Sequence, residues 1–138
     1  MDTKKRLQKI QDSIQNTMIA TIGIEITEIG SYYVCGKMPI DIRTVQIFGI
    51  LHGGASVTLA ESLGSIGGSM QIDLNKEMVV GVDINANHLK SVKTGWVYGK
   101  ATAIRIGKRI QVWGIKITNE DNELVCISRL TLAVINKK

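Results

Sequence analysis

Residues 51–70 read LHGGASVTLAESLGSIGGSM. Ala55, Leu59, Ser62, Leu63 and Ile66 recur along one side at helical spacing, and small residues fill almost every other position. The stretch predicts one long buried helix from Leu51 to Met70, because a surface helix carries a polar face opposite its apolar stripe and this one carries a single charge, Glu61. Its glycines and alanines let strands approach closely.

Working outward, Asp73-Leu74-Asn75 signals a turn, after which Val80, Val82, Ile84 and Ala86 alternate with polar or small neighbours in the period of a strand. Further strands are predicted over Gly95–Ile106, Ile110–Thr118 and Leu124–Ile135, with turns at Gly107-Lys108 and Asn119–Asn122. Upstream, Ile22–Ile29 and Tyr32–Met38 read as a hairpin turning at Gly30-Ser31, and Pro39, Asp41 and Arg43 open a connection to Phe48-Gly49. Leu7, Ile10, Ile14 and Met18 form one stripe of an amphipathic helix from Asp2 to about Thr21. Short turns make consecutive strands antiparallel. The sum is an α+β domain: five or six antiparallel strands that curl around a single helix, since one helix cannot cover a flat sheet of that width.

The 138 residues fit one domain, 1–138. Apolar residues at 44% against 21% charged exclude intrinsic disorder as the main state. No apolar run approaches the ~20 residues of a membrane-spanning helix, and Lys4-Lys5-Arg6 precede a polar, interrupted pattern, so a cytoplasmic protein is expected. Cys35 and Cys126, far apart in apolar segments, read as reduced, buried small hydrophobes. The net charge of +5 points to an anionic partner: nucleic acid, a lipid surface or a phosphate-bearing small molecule. Six aromatic residues make a thin stacking platform for nucleic acid.

His52-Gly53-Gly54 stands where the long helix begins, so the free N–H groups of its first turn point outward with the positive end of the helix dipole behind them. Such a turn can polarise a carbonyl; it can equally just permit close packing. Glu61 sits among Ala, Leu, Val, Ser and Gly, where a buried carboxylate is expensive unless paired or used; the alternative is a helix-face carboxylate that meets solvent or a lysine. It can serve as nucleophile or as general base on water. Ser65, four residues on, shares its face. Lys90, Lys93, Arg105, Lys108 and Arg109 cluster late in the chain, either as a solvated face or as a phosphate site. Two histidines and two distant cysteines lack zinc-ligand spacing, so no metal or cofactor is expected. Ser56 lacks the flanking glycines of a nucleophile elbow.

Residues 43–65, RTVQIFGILHGGASVTLAESLGS, with Ile84-Asn85-Ala86-Asn87-His88 and Ile106-Gly107-Lys108-Arg109, resemble the acyl-CoA thioesterases of the hotdog superfamily. The similarity is greatest to the branch of 1,4-dihydroxy-2-naphthoyl-CoA and phenylacetate-pathway thioesterases, and it covers nearly the whole chain. It implies a hotdog fold and hydrolysis of an aromatic acyl-CoA, with Glu61 as catalytic carboxylate and Gly53, His52, Gln46 and Ser65 around the thioester. It further implies that Val82, Asn87, His88, Leu89, Lys90, Arg105, Ile106, Gly107, Lys108 and Arg109 bind coenzyme A, and that homodimers with shared sites pair into tetramers. Neither nucleic acid nor membrane is expected as a partner. Ile47, where relatives often carry proline, and Ile110, where some carry histidine, depart from the pattern. Two rivals compete: a hotdog dehydratase, which would be expected to use an Asp/His pair, and a non-catalytic binder of acyl-CoA or nucleic acid. Helical geometry adds its own argument for a shared site, because eight residues at 1.5 Å place Gly53 and Glu61 about 12 Å apart along one axis.

Overall fold

The structure, a computed structural model, describes residues 2–138. Its elements in chain order are α1 (Thr3–Ser13), α2 (Met18–Thr21), β1 (Glu25–Ile29), β2 (Tyr33–Pro39), α3 (Gly53–Ser69), β3 (Glu77–His88), β4 (Trp96–Ile106), β5 (Ile110–Thr118) and β6 (Leu124–Asn136). The six strands form one antiparallel sheet in the order β1-β2-β4-β5-β6-β3. They wrap α3 in an unclosed curl, the hotdog arrangement expected from the sequence.

Small residues set the distance between helix and sheet. A Cβ at Gly64 would lie 2.6 Å from Leu130, at Gly67 2.7 Å from the Trp113 ring, and at Gly68 2.5 Å from Leu132; from the sheet side, Gly36 and Gly99 leave the same room for Leu63. Glycine weakens a helix by ~1 kcal/mol relative to alanine, and contact with the sheet offsets that loss. Leu59, Leu63, Val97, Trp113, Ile117, Leu130 and Leu132 are fully buried as a result. Trp113 cannot yield, because its Nε1–H donates to Gln111 Oε1 at 2.9 Å and the Gln111 amide donates to the Gly68 carbonyl. Gly67→Ala is therefore expected to destabilise the fold by roughly 1–3 kcal/mol despite its better helix propensity. A urea titration reads this as a lower midpoint at unchanged slope.

Three expectations need correction. The N-terminal helix does not continue to Thr21: α1 ends at Ser13, Asn16 takes φ 62°, and Thr17 Oγ1 donates to the Ile14 carbonyl, so the chain turns before α2. Ile14 is consequently buried while Met18 is exposed. The long helix starts at Gly53, because Leu51 is held in a bridge to Val45 and its N–H donates to the Val92 carbonyl. The alternation in β3 changes phase at a bulge between Gly81 and Asp83. Val79, Gly81, Ile84 and Ala86 thus share the inner face, and Val82, the extra residue, is exposed.

Both cysteines are free; Cys126 is buried and Cys35 only half-buried. Burial pushes both thiols above their ordinary range, which disfavours reactive thiolate. No helix among the described residues is long and apolar enough to cross a membrane.

Candidate active site

His52 caps α3. Its Nδ1 accepts the Gly54 N–H at 2.8 Å, and its carbonyl accepts the N–H groups of Ala55 and Ser56. Among the described residues nothing accepts the Gly53 N–H, so the first turn is left with one free donor at the positive end of a 17-residue helix. The sequence placed His52 near the thioester or as a brace; here its imidazole is engaged in bracing the turn. His88, at the C-terminal end of β3, lies against that turn, since a Cβ on Gly53 would come 2.9 Å from His88 Nε2.

Gln46 belongs to the loop before α3. Its N–H donates to the Ile50 carbonyl and its carbonyl accepts from Gly49 at φ 79°, while the side-chain oxygen takes the Phe48 N–H and the amide NH₂ has no partner among the described residues. This turn projects Ile47 and Phe48, 92% and 80% exposed.

Glu61 and Ser65 lie elsewhere, on the wall of a cavity of about 860 Å³ between α1, α3 and the start of β3. Glu61 is half-buried, a correction to the buried carboxylate expected from its neighbours, because it points along the rim of the sheet beside β3 while Leu59 and Leu63 point into the core. Its carboxylate has no ion-pair or hydrogen-bond partner among the described residues. Gly81 makes room for it: a Cβ there would stand 2.9 Å from Glu61 Oε2. Sequence reasoning missed Gly81, although an isolated glycine inside a strand is the usual sign of close approach.

The residues expected to bind coenzyme A divide between the two ends of the sheet. Arg105, Ile106, Gly107, Lys108 and Arg109 form the β4–β5 turn, where the Gly107 N–H donates to Ile110, and Val82 lies toward that end. Asn87, His88, Leu89 and Lys90 mark the other end. From Gln111, linked to Gly81 through Leu132, to Ile117, linked to His88 through Cys126, β5 advances six residues, about 20 Å. One chain does not bring these groups together. Lys90 pairs with Glu123 at 3.3 Å, and the Asn119 amide, with Lys90 second, holds the Glu123 carboxyl below its usual range. No group of three or more His, Cys, Asp or Glu side chains among the described residues is arranged to hold a metal ion.

A family model described as the thioesterase superfamily matches residues 48–126. The chain belongs to this superfamily. It is 42% identical over 132 residues to a 1,4-dihydroxy-2-naphthoyl-CoA hydrolase of Escherichia coli, covering 96% of each chain. It is 48% identical over 118 residues to an enzyme of the same name from Listeria monocytogenes, covering 86% of this chain and 95% of that one. Among solved structures, a thioesterase from Haemophilus influenzae superposes with a TM-score of 0.90 at 48% identity, covering 94% of this chain and 90% of that one. A mutant thioesterase from Pseudomonas aeruginosa gives 0.93 at 39%, covering 95% and 94%. The chain is accordingly an acyl-CoA thioesterase, and the remaining questions are which acyl group it takes and how its residues assemble.

Proposed function

We propose that this thioesterase hydrolyses aromatic acyl-CoA thioesters, of the 1,4-dihydroxy-2-naphthoyl, hydroxybenzoyl or phenylacetyl kind, in a site shared by two chains. The likeness to 1,4-dihydroxy-2-naphthoyl-CoA hydrolases supports the aromatic class, and the observation that carries the shared site is the separation on one helix of a free donor, the Gly53 N–H, from an unpaired carboxylate, Glu61. A thioester carbonyl must meet donor and attacking group within ~3–3.5 Å, which an axial separation of about 12 Å forbids within one chain.

Two antiparallel α3 helices about a two-fold axis satisfy both demands, with Glu61 of one chain opposite Gly53 of its partner. The free edge of β3 supports this, since among the described residues this 12-residue strand is paired on one side, with β6, and long bare edges are ordinarily covered. Antiparallel pairing of β3 with its copy would also set the His88 end of one chain beside the basic-turn end of the other, uniting the divided coenzyme A residues. Exposed Tyr98, Ile104 and Ile127 on the outer sheet face fit the further pairing of dimers into a tetramer. The free thiols suit the reducing cytoplasm.

In the reaction, the Gly53 N–H and the α3 dipole stabilise negative charge on the carbonyl oxygen. Glu61 of the other chain attacks the carbonyl carbon directly, giving an anhydride that water opens, or takes a proton from attacking water; Ser65 lies one turn away to orient either. Collapse of the tetrahedral adduct breaks the C–S bond, and the thiolate leaves as coenzyme A. A thiol-release screen against aryl-CoA and fatty acyl-CoA thioesters tests the acyl class. Higher kcat/KM on fatty acyl groups throughout the panel overturns the aromatic reading.

The basic turn gives a separate expectation. Arg109→Ala should raise KM roughly tenfold for full coenzyme A thioesters, the loss of one charge-assisted phosphate contact, with kcat little changed. Truncated pantetheine thioesters should show no such change; an equal rise on both would remove the nucleotide contact from the account.

A further inference from the structure

The groove that holds Glu61 continues past Ser65 and Ser69 toward the C-terminal end of α3, where Arg6 and Lys9 of α1 line its wall. Three residues apart, they share the face of α1 that also presents Ile10 and Ser13 to the groove. The Arg6 guanidinium is held there by donation to the Met70 carbonyl at 3.1 Å. Nine residues separate Glu61 from Met70, about 13 Å of helix axis. Both side chains are exposed, so the cations stand in solvent along the open wall of the groove.

Neither cation has a carboxylate partner: the ion pairs among the described residues are Arg43–Asp41 and Lys90–Glu123. Two acids line the groove, and one of them, Asp73, already accepts the Asn75 N–H at 3.0 Å. The other is Glu61. Ile66, Leu74 and Val79 give the wall its apolar surface. The groove thus runs from the Glu61 carboxylate to two cations set against one further acid, Asp73, which leaves that end net positive.

We propose that this groove receives the acyl group and that Arg6 and Lys9 select aryl groups carrying an acidic oxygen, a carboxylate or ionised phenol, at the end distal to the thioester. The proposal rests on the catalytic reading of Glu61 and deepens it by naming the acyl class. The polarity fixes orientation as well as choice: an anion placed near Glu61 is repelled, and the same anion at the far end is attracted, so an acidic aryl group binds with its thioester toward Glu61. Exposed ion pairs are individually weak and screened by salt, so the selection is a modest ratio that declines as ionic strength rises.

The test compares kcat/KM for 2-naphthoyl-CoA and its 6-carboxy analogue, which share a ring system and differ only in the distal anion. Wild-type enzyme at low salt should favour the carboxylated thioester about tenfold, Lys9→Glu should lower that ratio about tenfold, and Lys9→Arg should keep it. A wild-type ratio near one, or a ratio unmoved by Lys9→Glu, overturns the proposal while leaving the thioesterase reading intact, because both thioesters are still cleaved. Equal loss on both substrates in Lys9→Glu assigns α1 a packing role and overturns it too. Failure of the wild type to cleave either thioester removes the aromatic reading beneath it and the proposal together.

Discussion

Glu61→Gln is expected to lower kcat on the best aryl-CoA by roughly 10²–10⁴, the range a positioned acid–base group contributes, while substrate binding changes little. The amide keeps the size and planar shape of the carboxylate, so it occupies the space that Gly81 leaves open beside β3. It can neither form an anhydride nor take a proton from water. Because no cation pairs with Glu61 among the described residues, the neutral amide strands no opposite charge, and stability should be preserved. That separates this variant from a merely structural loss: an unaltered denaturation midpoint with the rate gone points to chemistry. Turnover within threefold of wild type would exclude Glu61 as the catalytic group.

The fold was legible because its two periodicities are clean. Leu59 and Leu63 at helical spacing, set among glycines, specify a helix covered by a sheet, and Gly107 and Asn119–Asn122 mark where strands reverse. What local pattern could not show was phase. Val80, Val82, Ile84 and Ala86 form an unbroken alternation on paper, yet the bulge at Val82 puts Val80 and Ile84 on opposite faces. A bulge is a property of the pairing with β6, and one strand's sequence records it only in the presence of Gly81. Asn16 was a comparable loss: the stripe from Leu7 to Met18 fits one helix, and a single residue at positive φ ends it.

The site was legible in residue type and illegible in place. A lone acid in an apolar helix and a glycine pair at its N-terminus both stand out from composition. Burial of Glu61 was overestimated because its sequence neighbours are apolar, whereas exposure depends on which face of α3 the sheet covers. Arg6 and Lys9 gave no signal, since cations on an amphipathic helix ordinarily face water, and only the placement of α1, packed on β1, across the groove from α3 brings them to its wall. Lys90 and Arg109 likewise looked like one basic cluster in the late sequence, and the antiparallel strands set them at opposite ends.

That division gives the second large effect, which concerns assembly. Mixing Glu61→Gln with Gly53→Pro chains should restore activity that neither variant has alone. Proline is tolerated in the first turn of a helix and removes the donor N–H, and its ring would also press on His88, whose Nε2 lies 2.9 Å from any Cβ placed there. Each homodimer then lacks one component in both of its sites. In a mixed dimer, the intact Glu61 of the Gly53→Pro chain faces the intact Gly53 of the Glu61→Gln chain, and the reciprocal site lacks both. Equal mixing and full exchange should recover about a quarter of wild-type activity per chain, because half the dimers are mixed and each has one working site of two. If catalysis used Glu61 and Gly53 of the same chain, every site would remain defective in one or the other, and verified heterodimers would stay inactive.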